Sequence, residues 1–81
     1  MGMDRITEIL NGPFQEVLDE ASLLKVERKG ENDYTFRYRV AYAMQAHLLK
    51  AANAPISERT QRRMAWFEAG NTLQEGELQP L

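Results

Sequence analysis

The sequence predicts an α+β domain in which two amino-terminal helices, a two-stranded antiparallel hairpin and two carboxy-terminal helices follow one another. Three changes of pattern along the 81 residues lead to this prediction. Apolar residues recur at helical spacing up to residue 21, alternate with polar residues from 24 to 40, and then give way to good helix formers. A small all-helical bundle is the alternative, in which the alternating region is also helical.

The amino-terminal part contains two short helical patterns separated by a turn. Asp4 is a suitable cap for the first helix, and the sequence Asn11-Gly12-Pro13 ends it. The second helix follows Pro13, and its apolar residues recur at i, i+3, i+4 and i+7. These residues are Phe14, Val17, Leu18 and Ala21. The acidic residues of this helix point away from the apolar stripe, so a solvated acidic face is expected.

The alternating region is rich in aromatic and β-branched residues, which strands favour. One strand would start at Leu24 and the other would cover residues 34–40, with a loop of turn-forming residues between them. The buried side of the second strand would carry Tyr34, Phe36, Tyr38 and Val40. A single long helix that begins near Asp33 also fits, because Phe36 and Val40 share a helical stripe, but the alternation favours the hairpin.

Two helices are predicted to complete the domain. The first covers residues 40–53, and its Tyr42 and Leu49 point away from the main apolar stripe. This helix is therefore either packed between neighbours or part of a homo-oligomer interface formed by Tyr42 and Leu49. Ser57 caps the second helix and Gly70 closes it. Residues 1–70 are expected to form a single compact domain, and residues 71–81 a flexible carboxy-terminal tail.

The composition argues against several classes of function. There is no cysteine, and the only histidine, His47, lies within an apolar helical pattern without an acid nearby to orient it. We therefore expect no catalytic residue, no metal site and no cofactor, and the chain is not expected to be an enzyme. No apolar run approaches the ~20 residues that cross a bilayer, so no membrane partner is expected. The lack of cysteine and of a secretion signal makes a cytoplasmic location the expectation.

The last helix separates an apolar stripe from a stripe of arginines around the only tryptophan. Tryptophan and arginine are enriched at the energetic centres of protein interfaces, so this stripe is predicted to bind a partner. Its residues are Arg59, Arg62, Arg63 and Trp66, and Arg37 and Arg39 on the nearby strand extend the basic surface. The alternative is that Trp66 packs back onto the hairpin while the arginines pair with the acidic second helix.

Residues 51–64 also resemble the turn and recognition helix of a helix-turn-helix DNA-binding unit. The positions that fit the family pattern are Ala51, Ile56, Ser57, Thr60 and Met64. The resemblance implies that the last helix enters the major groove. The contacts it implies are Glu58, Arg59, Gln61, Arg62 and Arg63. The sequence departs from the pattern at Pro55, where the turn usually has a glycine, and at Gln61, where a buried aliphatic residue is usual.

Taken together, the patterns predict a small non-enzymatic binding protein that acts by protein–protein contact. Its size is typical of inhibitors and adaptors such as those encoded by phages and mobile elements. The expected partner is another protein. A helix-turn-helix-like regulator that binds DNA is the alternative, and a homodimer or larger homo-oligomer is a third outcome.

Overall fold

Four α-helices make up the regular structure of the chain in a computed structural model that describes residues 2–74. They are α1 (Gly2–Asn11), α2 (Phe14–Leu24), α3 (Asp33–Ala51) and α4 (Glu58–Glu68). There is no strand within residues 2–74, so the predicted hairpin is wrong and the alternative, a small all-helical bundle, is confirmed. None of the helices in this part of the chain combines the length and the apolar character needed to cross a membrane.

The second predicted strand is in fact the first half of α3. Asn32 starts the helix, because its side-chain oxygen accepts a hydrogen bond from the backbone N–H of Thr35 at 2.7 Å. The first predicted strand is irregular: α2 ends where Lys25 adopts a left-handed conformation, with φ of 59°, and the chain then runs without regular structure to residue 32. Residues 24–40 therefore form a helix end, a connection and a helix start.

The long helix α3 lies at the centre and is covered on two sides. On one side Phe36, Val40 and Ala41 pack into a buried cluster with residues from α1 and α2, among them Ile9 and Val17. On the other side Tyr42 forms a smaller cluster with residues that follow it in the chain. A helix in this position needs apolar residues on opposite faces, and two residues that are two apart differ by about 200° around a helix. Residues 34–40 therefore alternate between apolar and polar because α3 is covered on two opposite faces.

The second cluster joins α3 to α4 and to the segment that follows it. Tyr42, Phe67 and Leu73 are its buried members, and the Tyr42 and Phe67 rings lie 5.8 Å apart. Leu73 is only 1% exposed, and its N–H donates to the hydroxyl of Thr35 at 2.8 Å while its carbonyl accepts from Asn32 at 3.1 Å. Residue 73, which lies within the predicted tail, is thus bound to the start of α3. The rest of that tail, residues 75–81, lies outside the described residues.

Arg5 ties α1 to the acidic side of α2. Its guanidinium lies between the carboxylates of Glu8, Glu16 and Glu20, with Nε 2.9 Å from Glu20. The hydrogen bonds that Arg5 donates to Glu16 and Glu20 raise the pKa of its guanidinium above the usual value. Glu20 is buried and Glu16 is half-buried at this junction. Two of the acidic groups of α2, Glu16 and Glu20, are therefore paired with α1.

Candidate interaction surface on the last helix

The apolar side of α4 and its cap determine which face of the helix is exposed. Thr60, Met64 and Phe67 face α3, with Thr60 6% exposed and its hydroxyl 3.4 Å from the Gln45 amide oxygen. Ser57 caps the helix, since its side-chain oxygen accepts a hydrogen bond from the N–H of Thr60 at 3.1 Å. With this side buried, the opposite side of α4 is turned away from α3.

The side turned away carries five residues that line one shallow depression, which we call the Arg–Trp surface. They are Glu58, Arg59, Arg62, Arg63 and Trp66. The structure thus brings together four of the six residues predicted to bind a partner. Arg59 and Arg62 are exposed, whereas Arg63 and Trp66 are half-buried.

Arg63 and Trp66 form an ordered stack at the centre of this surface. The guanidinium carbon of Arg63 lies 4.3 Å from the centre of the indole ring, which is a close cation–π geometry. Trp66 in turn packs edge-on against Phe67, with ring centres 5.2 Å apart. The inner part of the indole therefore rests on the second cluster. These contacts hold both side chains in one orientation, which lowers the entropy cost of binding a partner.

The Arg–Trp surface carries more positive than negative groups. Among the residues that the structure describes, three guanidinium groups share the depression with one carboxylate, Glu58. Glu58 pairs with Arg62 one turn later in the helix, but both side chains are 76% exposed. Exposed pairs of this kind contribute only about 0.3–0.5 kcal/mol. Separating Arg62 from Glu58 therefore costs little free energy.

Arg37 and Arg39 occupy other parts of the molecule and lie on α3, not on a strand. Arg37 donates to the backbone carbonyls of Ile9 at 3.2 Å and Gly12 at 2.8 Å, so it satisfies the carboxy-terminal end of α1. The Arg39 side chain is 10% exposed and donates to the Glu27 carbonyl at 2.7 Å. Neither residue lines the Arg–Trp surface.

Tyr42 and Leu49, the residues predicted for an oligomer interface, differ in position. Tyr42 is 2% exposed and contacts Phe67, so its ring belongs to the interior of a single chain. Leu49 is half-buried. This arrangement agrees with the interpretation of the helix as one packed between neighbours, and a homo-oligomer stays a prediction.

Sequence reasoning did not place two tyrosines near this site. Tyr34 and Tyr38 are half-buried, their rings are 5.1 Å apart, and both pack against the cluster that supports Trp66. Burial and a hydrogen bond with Tyr34 raise the pKa of Tyr38 to about 12. The spacing of Tyr34, Tyr38 and Tyr42 at i, i+4 and i+8 was the signal that could have found them.

The residues that resemble a helix-turn-helix unit lie at the end of α3, in the connection and in α4. Ser57 caps α4, and Thr60 is buried against α3. Gln61, in contrast, is exposed, and its side-chain amide donates to the carbonyl of Ile56 at 2.9 Å.

His47, which the sequence did not favour as a catalytic residue, is exposed on α3.

Within the described part of the chain, no three His, Cys, Asp or Glu side chains are grouped so that they could hold a metal ion. Comparisons with known protein families, with curated proteins and with solved structures find no match. The case for a function therefore depends on the chemistry of the surface itself.

Proposed function

We propose that this chain is a small non-enzymatic binding protein that contacts another protein through the Arg–Trp surface. The observation that carries the proposal is the stack of Arg63 on Trp66, with Arg59 and Arg62 exposed beside it. Arginine and tryptophan supply a large share of binding energy at protein interfaces, above all where they are held in place before binding.

Charge and shape define the class of partner. A carboxylate of the partner would pair with the exposed guanidinium of Arg62, since a guanidinium group binds a carboxylate through two parallel hydrogen bonds. An apolar side chain next to those carboxylates would cover the outer part of the Trp66 indole. The chain acts by occupying a site on an acidic protein. It either blocks that site, as an inhibitor does, or links the protein to another one, as an adaptor does.

The proposal is tested by reversing the charge of the surface without disturbing the core. An Arg59→Glu, Arg62→Glu double variant changes two exposed positions and should fold like the wild type. Lys50→Glu, at an exposed position on α3, is the matched control. A partner captured by the wild type and by the control should be lost from the double variant, with affinity reduced at least tenfold, or about 1.4 kcal/mol. Equal capture by all three proteins would refute the proposal.

DNA binding is the second candidate, because the contacts implied by the helix-turn-helix resemblance include exposed residues on α4. Arg59 and Arg62 lie there, close to a helix start capped by Ser57. Affinity for a duplex would fall steeply with salt, with a log–log slope of about −0.9 for each phosphate contacted. Titration of duplex DNA at several salt concentrations separates the two candidates. A slope that flattens in Arg62→Gln would favour DNA, and no measurable affinity at low salt would remove it.

A further inference from the structure

A second candidate site lies on the other side of α4, away from the Arg–Trp surface. It is a cavity of about 350 Å³ between α3, α4 and the connection that follows α2. This volume is at the lower end of the range for small-molecule sites, which is roughly 300–1,000 Å³. Its apolar lining comes from all three elements and consists of Val26, Tyr42, Ala43, Met64 and Phe67. A ligand with one or two rings would fit a space of this size.

Arg39 gives the cavity a polar group that the fold does not fully use. Its side chain is nine-tenths buried and lines the cavity. One end of its guanidinium, Nη1, donates to the Glu27 carbonyl at 2.7 Å and to the Glu31 carboxylate at 2.9 Å. The other end, Nη2, lies 3.8 Å from the nearer oxygen of its ion-pair partner Glu68, which is beyond hydrogen-bond distance. Within residues 2–74, Nη2 therefore keeps its two N–H donors for a ligand.

Three bases, Lys25, Lys29 and Arg39, line the cavity together with two acids, Glu27 and Glu68. Glu31, which lies 2.9 Å from Arg39, is a third acid beside the cavity, so the preference for a carboxylate rests on Nη2 of Arg39 and on Lys25 and not on net charge. Glu68 is 59% exposed and pairs with Lys29 at 3.2 Å, so it can turn outward with that lysine when a ligand enters. Lys25 has no ion-pair partner in the part of the chain that the structure describes.

We propose that this cavity binds a small amphipathic carboxylate. Its apolar ring system lies against Tyr42, Met64 and Phe67, and its carboxylate accepts hydrogen bonds from Nη2 of Arg39. Burial of the rings supplies most of the affinity, while the guanidinium selects the charged head. The site does not depend on the Arg–Trp surface, because the two lie on different sides of α4.

The experiment is a titration of the ¹⁵N-labelled chain with 1-naphthylacetate, followed by NMR. Signals from Ala43, Met64 and Phe67 should shift with a Kd of about 1 mM or below, which is ordinary for a ligand of this size. The uncharged analogue 2-(1-naphthyl)ethanol should bind at least tenfold more weakly. No shift at several millimolar naphthylacetate, or equal affinity for the alcohol, would overturn the proposal.

Variants locate the site. Ala43→Leu fills the cavity and should abolish the shifts while the circular dichroism spectrum stays that of the wild type. Arg39→Lys retains the positive charge but loses the second nitrogen, and binding should weaken about tenfold. Lys50→Gln, at an exposed position on α3 outside the cavity lining, should bind as the wild type does. Undiminished binding to a folded Ala43→Leu variant would show that the ligand sits elsewhere and would refute the assignment.

Discussion

Leu73 offers a direct test of how the carboxy-terminal segment holds α4 in place. Its side chain is 1% exposed and packs with Tyr42 and Phe67, the residue that supports Trp66. We expect Leu73→Ala to lower the free energy of unfolding by about 2–3 kcal/mol. This is the lower part of the range for a buried leucine, because residues 71–74 have no regular secondary structure and can relax around the space left behind. In a domain of this size the melting temperature should fall by roughly 10–20 °C.

The assay is urea denaturation followed by far-ultraviolet circular dichroism, with the melting temperature measured in parallel. Thr72→Ala is the matched control, because Thr72 is the exposed neighbour of Leu73. Its free energy of unfolding should stay within about 0.5 kcal/mol of the wild type. A change as small as this in Leu73→Ala would refute the reasoning, since residues 71–74 would then not be docked on α3.

Three further predictions concern the turn after α1, the connection before α3 and the Arg–Trp surface. Gly12→Ala should destabilise the fold by about 1–3 kcal/mol, because an added Cβ would meet the Glu8 carbonyl oxygen at 2.6 Å; an unchanged melting temperature would contradict this. Burial acts to raise the pKa of Glu31, but a backbone N–H and Arg39 outweigh it and hold the pKa below its usual 4.5. The ionised Glu31 therefore stabilises the fold above pH 4.5, and this stabilisation is lost as the pH falls through the lowered pKa. In Glu31→Gln the free energy of unfolding should consequently fall less steeply with acid than in the wild type. Parallel stability–pH curves for the two proteins would contradict this prediction. Arg62→Gln should change stability by less than about 0.5 kcal/mol in urea denaturation, because its ion pair is exposed.

Helices α1, α2 and α4 could be predicted because each has a local signal in the sequence. The apolar spacing of α1 and α2 and the Ser57 cap of α4 are present in the sequence and are confirmed. The error concerned α3, where the pattern of Tyr34, Phe36, Tyr38 and Val40 fits both a strand and a helix buried on two sides. The tertiary arrangement, with helices on both sides of α3, decides between them. The cap at Asn32 was the local feature that favoured the helix.

For the candidate sites, too, the sequence predicts what lies on one helix but not what separate segments form together. Helical spacing on one element was enough to group Arg59, Arg62, Arg63 and Trp66. The position of Arg39 was beyond reach, because its binding partners come from the connection between α2 and α3, where the sequence pattern predicts a hairpin. The cavity beside Arg39 is made by three separate segments, so no spacing along the chain could indicate it.

Site-specific photo-cross-linking tests the central claim most directly. The photoreactive residue p-benzoylphenylalanine would replace Arg62 in one full-length variant of the chain and Leu23 in another. Leu23 is the rival position, because at 75% exposure it is the most exposed large apolar side chain in the described residues. Irradiation of cells that express each variant should give a discrete protein adduct from position 62 and none from position 23. An adduct from position 23 alone would contradict the assignment of the Arg–Trp surface.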